Sequence, residues 1–192
     1  MPTRWNPADT SALHQFSNGD LTLTRITTNN QYAMTRGSRG RSTGKYYFEV
    51  RFTFTGTGMS AGIANSATAL DSVSIYAGNN TNSIIVGTNS QTTFNNTNLG
   101  SPGTVTSNQW LGFAIDLDNK KWWTVVSGGN WNNDVIENQN PALNVGGYSF
   151  ATIAAGPYYP LLQSYRTSDH SGVANFGATR FVFNPPSGFG MW

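Results

Sequence analysis

The chain has 192 residues, of which 10 % are charged and 13 % are aromatic, and its formal net charge at pH 7 is +2. This length suits one sizeable domain with its own hydrophobic core. The sequence contains no cysteine, which excludes disulfides, thiolate metal sites and cysteine nucleophiles. Its small net charge argues against nucleic-acid binding.

The N-terminal third begins with a polar arm, after which apolar and polar residues alternate. We expect residues 1–20 to pack as an arm on the rest of the domain, ending in an Asn18-Gly19 turn. Residues 21–26 alternate between apolar and polar types and predict a strand, and residues 31–36 return as its partner.

The clearest strand signal is residues 44–55, GKYYFEVRFTFT. Successive side chains of a strand point to opposite faces, so five apolar residues share one face. They are Tyr46, Phe48, Val50, Phe52 and Phe54. A face this apolar must be covered by another layer, so the rest of the chain must supply a second sheet.

The next segment is less regular. Residues 59–65 (MSAGIAN) predict a strand whose small side chains indicate close approach to a neighbouring backbone. Residues 66–108 show no helical periodicity, and short strands are expected at 73–77, 83–87 and 91–94.

The C-terminal half contains further hairpins. Residues 109–117 and 121–126 flank a short turn, and residues 158–165 and 172–176 form a last pair. Residues 184–192 are expected to form an extended tail. The ten to thirteen short strands with frequent turns predict a single all-β domain, an antiparallel β-sandwich without a major helix.

The location of the protein is an open question at this level. The first ten residues are polar, so we expect no signal peptide, and no stretch approaches the roughly 18 apolar residues that span a membrane. The neutral Asn-, Ser- and Thr-rich composition is nevertheless typical of exposed proteins. A virion protein made in a host cytoplasm would have both this composition and no signal peptide. A cytoplasmic protein is the alternative.

The charged residues give little indication of a phosphate or metal site. The basic residues Arg36, Arg39, Arg41 and Lys45 are interpreted as a solvated loop before the central strand rather than as a phosphate site. We expect no metal, because the histidine and acidic residues lack the spacing of a zinc or calcium site.

Two patterns could support catalysis, and both have simpler interpretations. Residues 168–171 (SDHS) group the types found in a catalytic triad, but adjacent side chains diverge, so a polar turn around His170 is expected. Asp116 and Asp118 lie two residues apart, as a glycosidase pair could, but they fit a strand end followed by a turn. We therefore expect no enzyme activity and no cofactor.

Six motifs in order resemble the SPRY domain. They are residues 44–50 (GKYYFEV), 61–64 (AGIA), 111–118 (LGFAIDLD), 159–162 (YPLL), 175–177 (NFG) and 185–186 (PP). With residues 5–7 (WNP), the double tryptophan at 122–123 and the segments 128–131 and 140–142, the order is similar to SPRY-like domains of bacteriophage and prophage structural proteins.

The resemblance implies a bent sandwich of two antiparallel sheets that binds and does not catalyse. Eukaryotic members hold peptides and proteins in loops at one edge of the sandwich. Those loops do not match here, so the resemblance assigns no binding residue. Residues 66–108 match it least, and we expect binding specificity to lie in such loops.

An aromatic platform is the candidate ligand site. Trp122 and Trp123 point to opposite faces of one strand, so one of them is buried in the core and the other is either exposed or covered by a loop. An exposed aromatic surface flanked by amides could stack on sugars; the alternative is that Trp131 folds back over the core. The candidate residues are Trp123, Trp131, Tyr148, Asn130, Asn132 and Asn133.

These observations favour a virion-surface protein, either a capsid decoration protein or a tail-fibre or receptor-binding component. Its partners would be other virion subunits or a cell-surface glycan, with oligomers formed through virion assembly. Trp5, Phe189 and Trp192 are candidates for an apolar docking patch. The alternatives are a free lectin-like module and, less favoured, an intracellular peptide-binding adaptor.

Overall fold

The computed structural model describes residues 2–192, which form sixteen strands and two short 3₁₀ turns. In chain order the strands are β1 (Trp5–Thr10), β2 (His14–Ser17), β3 (Thr22–Arg25), β4 (Asn29–Gly37), β5 (Lys45–Thr53), β6 (Met59–Ala64), β7 (Asp71–Ser72), β8 (Ser83–Gly87), β9 (Thr92–Phe94), β10 (Thr97–Gly100), β11 (Trp110–Asp116), β12 (Lys121–Val126), β13 (Tyr148–Ser149), β14 (Tyr159–Arg166), β15 (Ser171–Asn175) and β16 (Gly190–Met191). The 3₁₀ turns are Trp131–Asn133 and Pro141–Leu143. None of the helices in this part of the chain is long and apolar enough to cross a membrane.

The strands form two sheets. Sheet I has the order β1-β4-β14-β6-β8-β9-β10, with β7 beside β4. Sheet II has the order β13-β12-β11-β5-β15-β3-β2, and β16 runs parallel to the start of β5. Every other pairing is antiparallel, so the prediction of an all-β antiparallel sandwich is confirmed.

The core lies between the two sheets and is centred on β5. Phe48, Val50 and Phe52 are fully buried there, as the alternation of the strand predicts. Phe48 stacks on Phe113 of β11, with ring centroids 4.9 Å apart, and meets Trp192 edge-on at 5.7 Å. Burial of such large aromatic side chains is the main favourable contribution to folding.

The second face of β5 is also buried, which the sequence pattern does not indicate. Tyr47 and Glu49 are fully buried beneath the C-terminal tail, residues 181–192. The Glu49 carboxylate accepts hydrogen bonds from the backbone N–H groups of Val182 and Phe183 at 2.9 and 2.8 Å and from the Tyr47 hydroxyl at 2.9 Å. Burial, with the Glu49 charge beside it, raises the pKa of Tyr47 far above its ordinary value.

Strand β6 approaches its neighbour as its small residues predict. A Cβ atom added to Gly62 would lie 2.8 Å from the Cα of Ile85 and closer still to the carbonyl oxygen of Ile84. Only a residue without a side chain fits at this position between β14 and β8.

Several elements differ from the sequence prediction. The strands β1, β2, β7, β10, β13 and β16 were not predicted; β1 carries a proline, which an edge strand tolerates. The strand expected at residues 73–77 is wrong. The Ser72 hydroxyl accepts hydrogen bonds from the N–H groups of Ser74 and Ile75, so a local turn replaces strand pairing there.

The interpretation of the basic residues as one solvated loop is wrong for Arg36. Arg36 lies in β4 and is buried, and its guanidinium forms a two-pronged ion pair with Asp9 at 2.8 and 2.7 Å. Arg41 instead covers the Tyr46 ring at 4.7 Å, and Lys45 lies 3.3 Å from Asp116. Only Arg39 of the four is fully solvated.

A buried polar chain joins the two sheets through His14. Its Nε2 lies 2.7 Å from the Ser164 hydroxyl and its Nδ1 lies 2.8 Å from the Thr35 hydroxyl. Arg25 of β3 also donates to the Ser164 oxygen at 3.2 Å and so joins the same chain. Burial, reinforced by the Arg25 charge, lowers the pKa of His14 from 6.5 to about 3.

Replacing Glu49 by alanine tests the role of the buried carboxylate. Glu49→Ala leaves the N–H groups of Val182 and Phe183 without their acceptor, so we expect a loss of roughly 2–4 kcal/mol in the free energy of unfolding. Urea denaturation measures it. Glu137→Ala, at an exposed site, is the matched control and should change the free energy by less than about 0.5 kcal/mol. Equal midpoints for the two variants would contradict this role.

The lowered pKa of His14 makes stability depend on pH. Below pH 6.5 the unfolded chain takes up a proton at His14, whereas the folded chain does not until about pH 3. The contribution of neutral His14 to the free energy of unfolding is therefore complete above pH 6.5. It falls by roughly 2–3 kcal/mol between pH 6.5 and 4.5. Urea denaturation at both pH values should show a smaller loss in His14→Gln than in the wild type. An equal loss would refute the assignment.

Candidate functional site

A groove lies on the outer face of sheet I, where β4, β14, β6, β8 and β9 lie side by side. Its volume is about 450 Å³, within the range of pockets that hold small ligands or short segments. We call it the tyrosine groove, because one wall consists of Tyr32, Tyr76 and Tyr165.

The tyrosine wall follows from the strand register. Tyr32 of β4 and Tyr165 of β14 are direct cross-strand neighbours, and their rings stack with centroids 4.2 Å apart and planes 19° apart. Tyr76, from the turn after β7, leans on Tyr32 at 5.9 Å and an interplanar angle of 48°. All three are partly exposed, and burial, with the neighbouring phenols, raises the pKa of Tyr32.

The floor of the groove is held by one glutamine. Gln163 of β14 is buried, and its amide oxygen accepts from the N–H of Ala77 at 2.6 Å while its amide nitrogen donates to the Ser60 hydroxyl at 2.9 Å. This side chain ties the turn that carries Tyr76 to the sheet beneath it. The position of the tyrosine wall is therefore fixed by a buried and fully satisfied polar contact.

The opposite wall consists of amides and hydroxyls from β9, β10 and their loops. Gln91, Asn96 and Asn98 are exposed there. The Asn96 side-chain oxygen accepts from the Tyr76 hydroxyl at 2.7 Å, which joins the two walls at one point.

The groove is uncharged. None of the sixteen described residues that line it is aspartate, glutamate, lysine, arginine or histidine. Arg166, which follows Tyr165 in the chain, is not a lining residue, and its guanidinium lies over the Tyr165 ring at 5.2 Å. Elsewhere between Pro2 and Trp192, no three histidine, aspartate or glutamate side chains are grouped so that they could hold a metal ion.

The proposed aromatic platform is not formed as an exposed surface. Trp123 is fully buried beneath the loop 130–147, with its indole N–H donating to the Val145 carbonyl at 3.1 Å. Trp131 is half-buried and meets Tyr47 edge-on at 6.4 Å. Tyr148 lies in β13 and packs against the main core. Of the two arrangements expected for Trp123, exposed or covered by a loop, the structure has the second, so Trp123 is not part of an exposed platform. Ligand binding by the half-buried Trp131 and Tyr148 stays a prediction.

The asparagines of that platform have separate surroundings. Asn132 is buried, and its side chain accepts from the N–H of Thr124 at 2.9 Å and donates to the Trp122 carbonyl at 3.3 Å. It fixes the loop to β12 and is not free to meet a ligand. Asn130 and Asn133 are exposed, and ligand binding by them stays a prediction.

The expected docking residues also pack internally. Trp5 is fully buried and meets Phe176 edge-on at 5.2 Å. Trp192 is buried beside Phe48, and its indole N–H donates to the Arg39 carbonyl at 2.9 Å. Phe189 is half-buried near Trp123. The two tryptophans therefore do not form an exposed docking patch.

The patterns examined for catalysis lie in turns. Asp116 accepts from the backbone N–H groups of Asp118 and Asn119 at 3.0 and 2.9 Å. Burial alone would raise the pKa of Asp116, but the bonds from Asn119 and the nearby Lys45 lower it. Asp118 instead accepts from the N–H of Gly44 at 2.9 Å. His170 lies in the turn between β14 and β15, with Nε2 3.2 Å from the Thr55 carbonyl oxygen.

Sequence reasoning did not identify the tyrosine groove. Nine of the sixteen lining residues lie between positions 76 and 98, inside the irregular segment 66–108 where binding specificity was expected. The individual residues were missed because Tyr32, Tyr76 and Tyr165 are distant in sequence. The available signal was a tyrosine within each of two predicted strands, residues 31–36 and 158–165.

Comparison with known proteins identifies the fold. No protein-family model matches the sequence, and no curated protein matches it. Among solved structures, the chain is similar to the SPRY domain of human HERC1, with 10 % identity and a TM-score of 0.68 over 92 % of this chain and 99 % of that one.

Two other structures are similar. The TRIM65 PSpry domain has 12 % identity and a TM-score of 0.64, over 91 % of this chain and 92 % of that one. Stonustoxin has 12 % identity and a TM-score of 0.58, over 91 % of this chain and 27 % of the toxin chain. The chain therefore has the fold of SPRY domains, as the order of its sequence motifs indicates.

Proposed function

We propose that this chain is a non-catalytic protein-binding domain and that its ligand site is the tyrosine groove. The SPRY fold supports the class of function, because the resemblance implies binding modules. The position of the site rests on this chain's own residues and not on the similar structures, whose sequence identity is 12 % or less.

One observation carries the proposal: three partly exposed tyrosines are gathered in a single groove whose floor is held by the buried hydrogen bonds of Gln163. Tyrosine is over-represented among residues that dominate binding energy, because a large apolar ring and a hydroxyl act together. Among the described residues, none forms a hydrogen bond with the hydroxyls of Tyr32 and Tyr165, so both remain available to a ligand. A preformed wall also reduces the entropy lost on binding.

A more specific proposal is a virion-surface role, as a decoration protein or receptor-binding component located in the virion. The order of the sequence motifs and the neutral Asn-, Ser- and Thr-rich surface support it. The partners would then be other virion subunits or a cell-surface glycan. Purified virions probed with antibody against this chain would test it, and absence of the chain from them would reject the virion role while leaving the binding domain untouched.

Selection of peptides from a random display library tests the function. Peptides selected on the full chain should bind Gln91→Arg at least tenfold more weakly than the wild type, because the substitution places a long charged side chain on the uncharged groove wall. Gln91 is exposed, so the fold should be kept, and the thermal midpoint checks this.

Gln15→Arg is the matched control, since Gln15 is an exposed glutamine on β2 of sheet II. It should bind the selected peptides as the wild type does. Selected peptides that bind all three proteins equally, or a selection that enriches nothing, would argue against a protein-binding role for this groove.

A further inference from the structure

Resting on the proposed function, we infer that the segment bound in the tyrosine groove is an uncharged, proline-rich chain in the polyproline II conformation. Three features of the groove lead to this ligand: its neutrality, the geometry of the tyrosine wall, and the hydrogen-bond donors that no protein group uses.

Because the groove is uncharged, a charged peptide segment is excluded as its ligand. A charged side chain entering the groove would lose hydration without meeting an opposite charge, which is unfavourable. Arg166 is not a lining residue of the groove and offsets this little for an anion, because its guanidinium lies over the Tyr165 ring and its Nε donates to Asn30 at 2.9 Å. The bound segment must therefore satisfy the groove with apolar surface and neutral polar groups.

The tyrosine wall suits rings of proline size. The 48° angle between Tyr32 and Tyr76 opens a wedge between the two rings, whereas Tyr32 and Tyr165 are nearly parallel. The centroid separations of 4.2 and 5.9 Å limit the length of the wall to about 10 Å. One turn of polyproline II rises roughly 9 Å over three residues, so prolines three apart would meet the two ends of the wall.

The free donors of the groove match a backbone without internal hydrogen bonds. Tyr32 and Tyr165 line the groove and their hydroxyls have no hydrogen-bond partner among residues 2–192, and Asn96 uses its side-chain oxygen for Tyr76 but keeps its amide hydrogens. Polyproline II leaves every carbonyl unpaired, and these carbonyls can accept from such donors. Aromatic grooves exploit this stiff conformation because little entropy is lost on binding.

The same geometry disfavours a sugar. Stacking on a sugar requires an open aromatic face, but Tyr165 has Tyr32 within 4.2 Å of its centroid and the Arg166 guanidinium at 5.2 Å. The ligand therefore meets ring edges, hydroxyls and the wedge beside Tyr76.

Fluorescence anisotropy with labelled decaproline tests the inference. Decaproline should bind the full chain at least tenfold more tightly than a Gly-Ser decapeptide, with a Kd that changes less than twofold between 50 and 500 mM NaCl. Tyr165→Phe, which removes one donor and keeps the ring, should weaken binding threefold to tenfold. Tyr159→Phe, at a half-buried tyrosine outside the groove, should leave the Kd unchanged.

The outcomes separate this inference from the proposed function. If peptides selected by display depend on Gln91 but decaproline does not bind, the binding domain stands and the polyproline ligand is wrong. Equal binding of the Gly-Ser peptide, or a Kd that rises steeply with salt, also overturns the inference. Displacement of the selected peptides from the wild type by maltotriose, but not by decaproline, would replace it with a sugar ligand.

Discussion

The burial of β5 on both faces is the constraint on which the rest of the structure depends. Its inner face supplies the aromatic core, and on its outer face the C-terminal tail covers Tyr47 and Glu49. The Glu49 carboxylate binds two backbone N–H groups of that tail, so a buried charge is satisfied by the segment that buries it. Trp192 then completes the core from the same tail.

This arrangement determines where a ligand can contact the domain. The tail and the loop 130–147 cover much of the outer face of sheet II, and they enclose Trp123 in doing so. The outer face of sheet I carries instead a groove with a satisfied floor and partly exposed walls. Gln163 ties the loop of Tyr76 to the sheet, which keeps the tyrosine wall in place without a ligand. Rigid support beneath exposed aromatic residues is what a preorganised binding site requires.

The alternation of residue types along the chain was sufficient to predict the fold but not the tyrosine groove. The strands β5, β11 and β12 alternate so regularly that their existence and inner faces follow from the sequence. Alternation does not reveal what covers the second face, so the burial of Glu49 and Trp123 could not be derived. The tyrosine groove depends on β4 pairing with β14 across more than a hundred residues, which brings Tyr32 beside Tyr165. Residues 73–77, which include Tyr76, were predicted as a strand, but the Ser72 hydroxyl holds a turn there instead.

The central claim is that ligands bind on the outer face of sheet I, and an NMR titration tests it most directly. A ¹⁵N-labelled full chain is titrated with a display-selected peptide, and amide shifts are mapped on the structure. We expect the largest shifts in residues 57–60, 87–93 and 163–165, which line or adjoin the tyrosine groove. Shifts concentrated in the loop 130–147, with the groove unchanged, would contradict it.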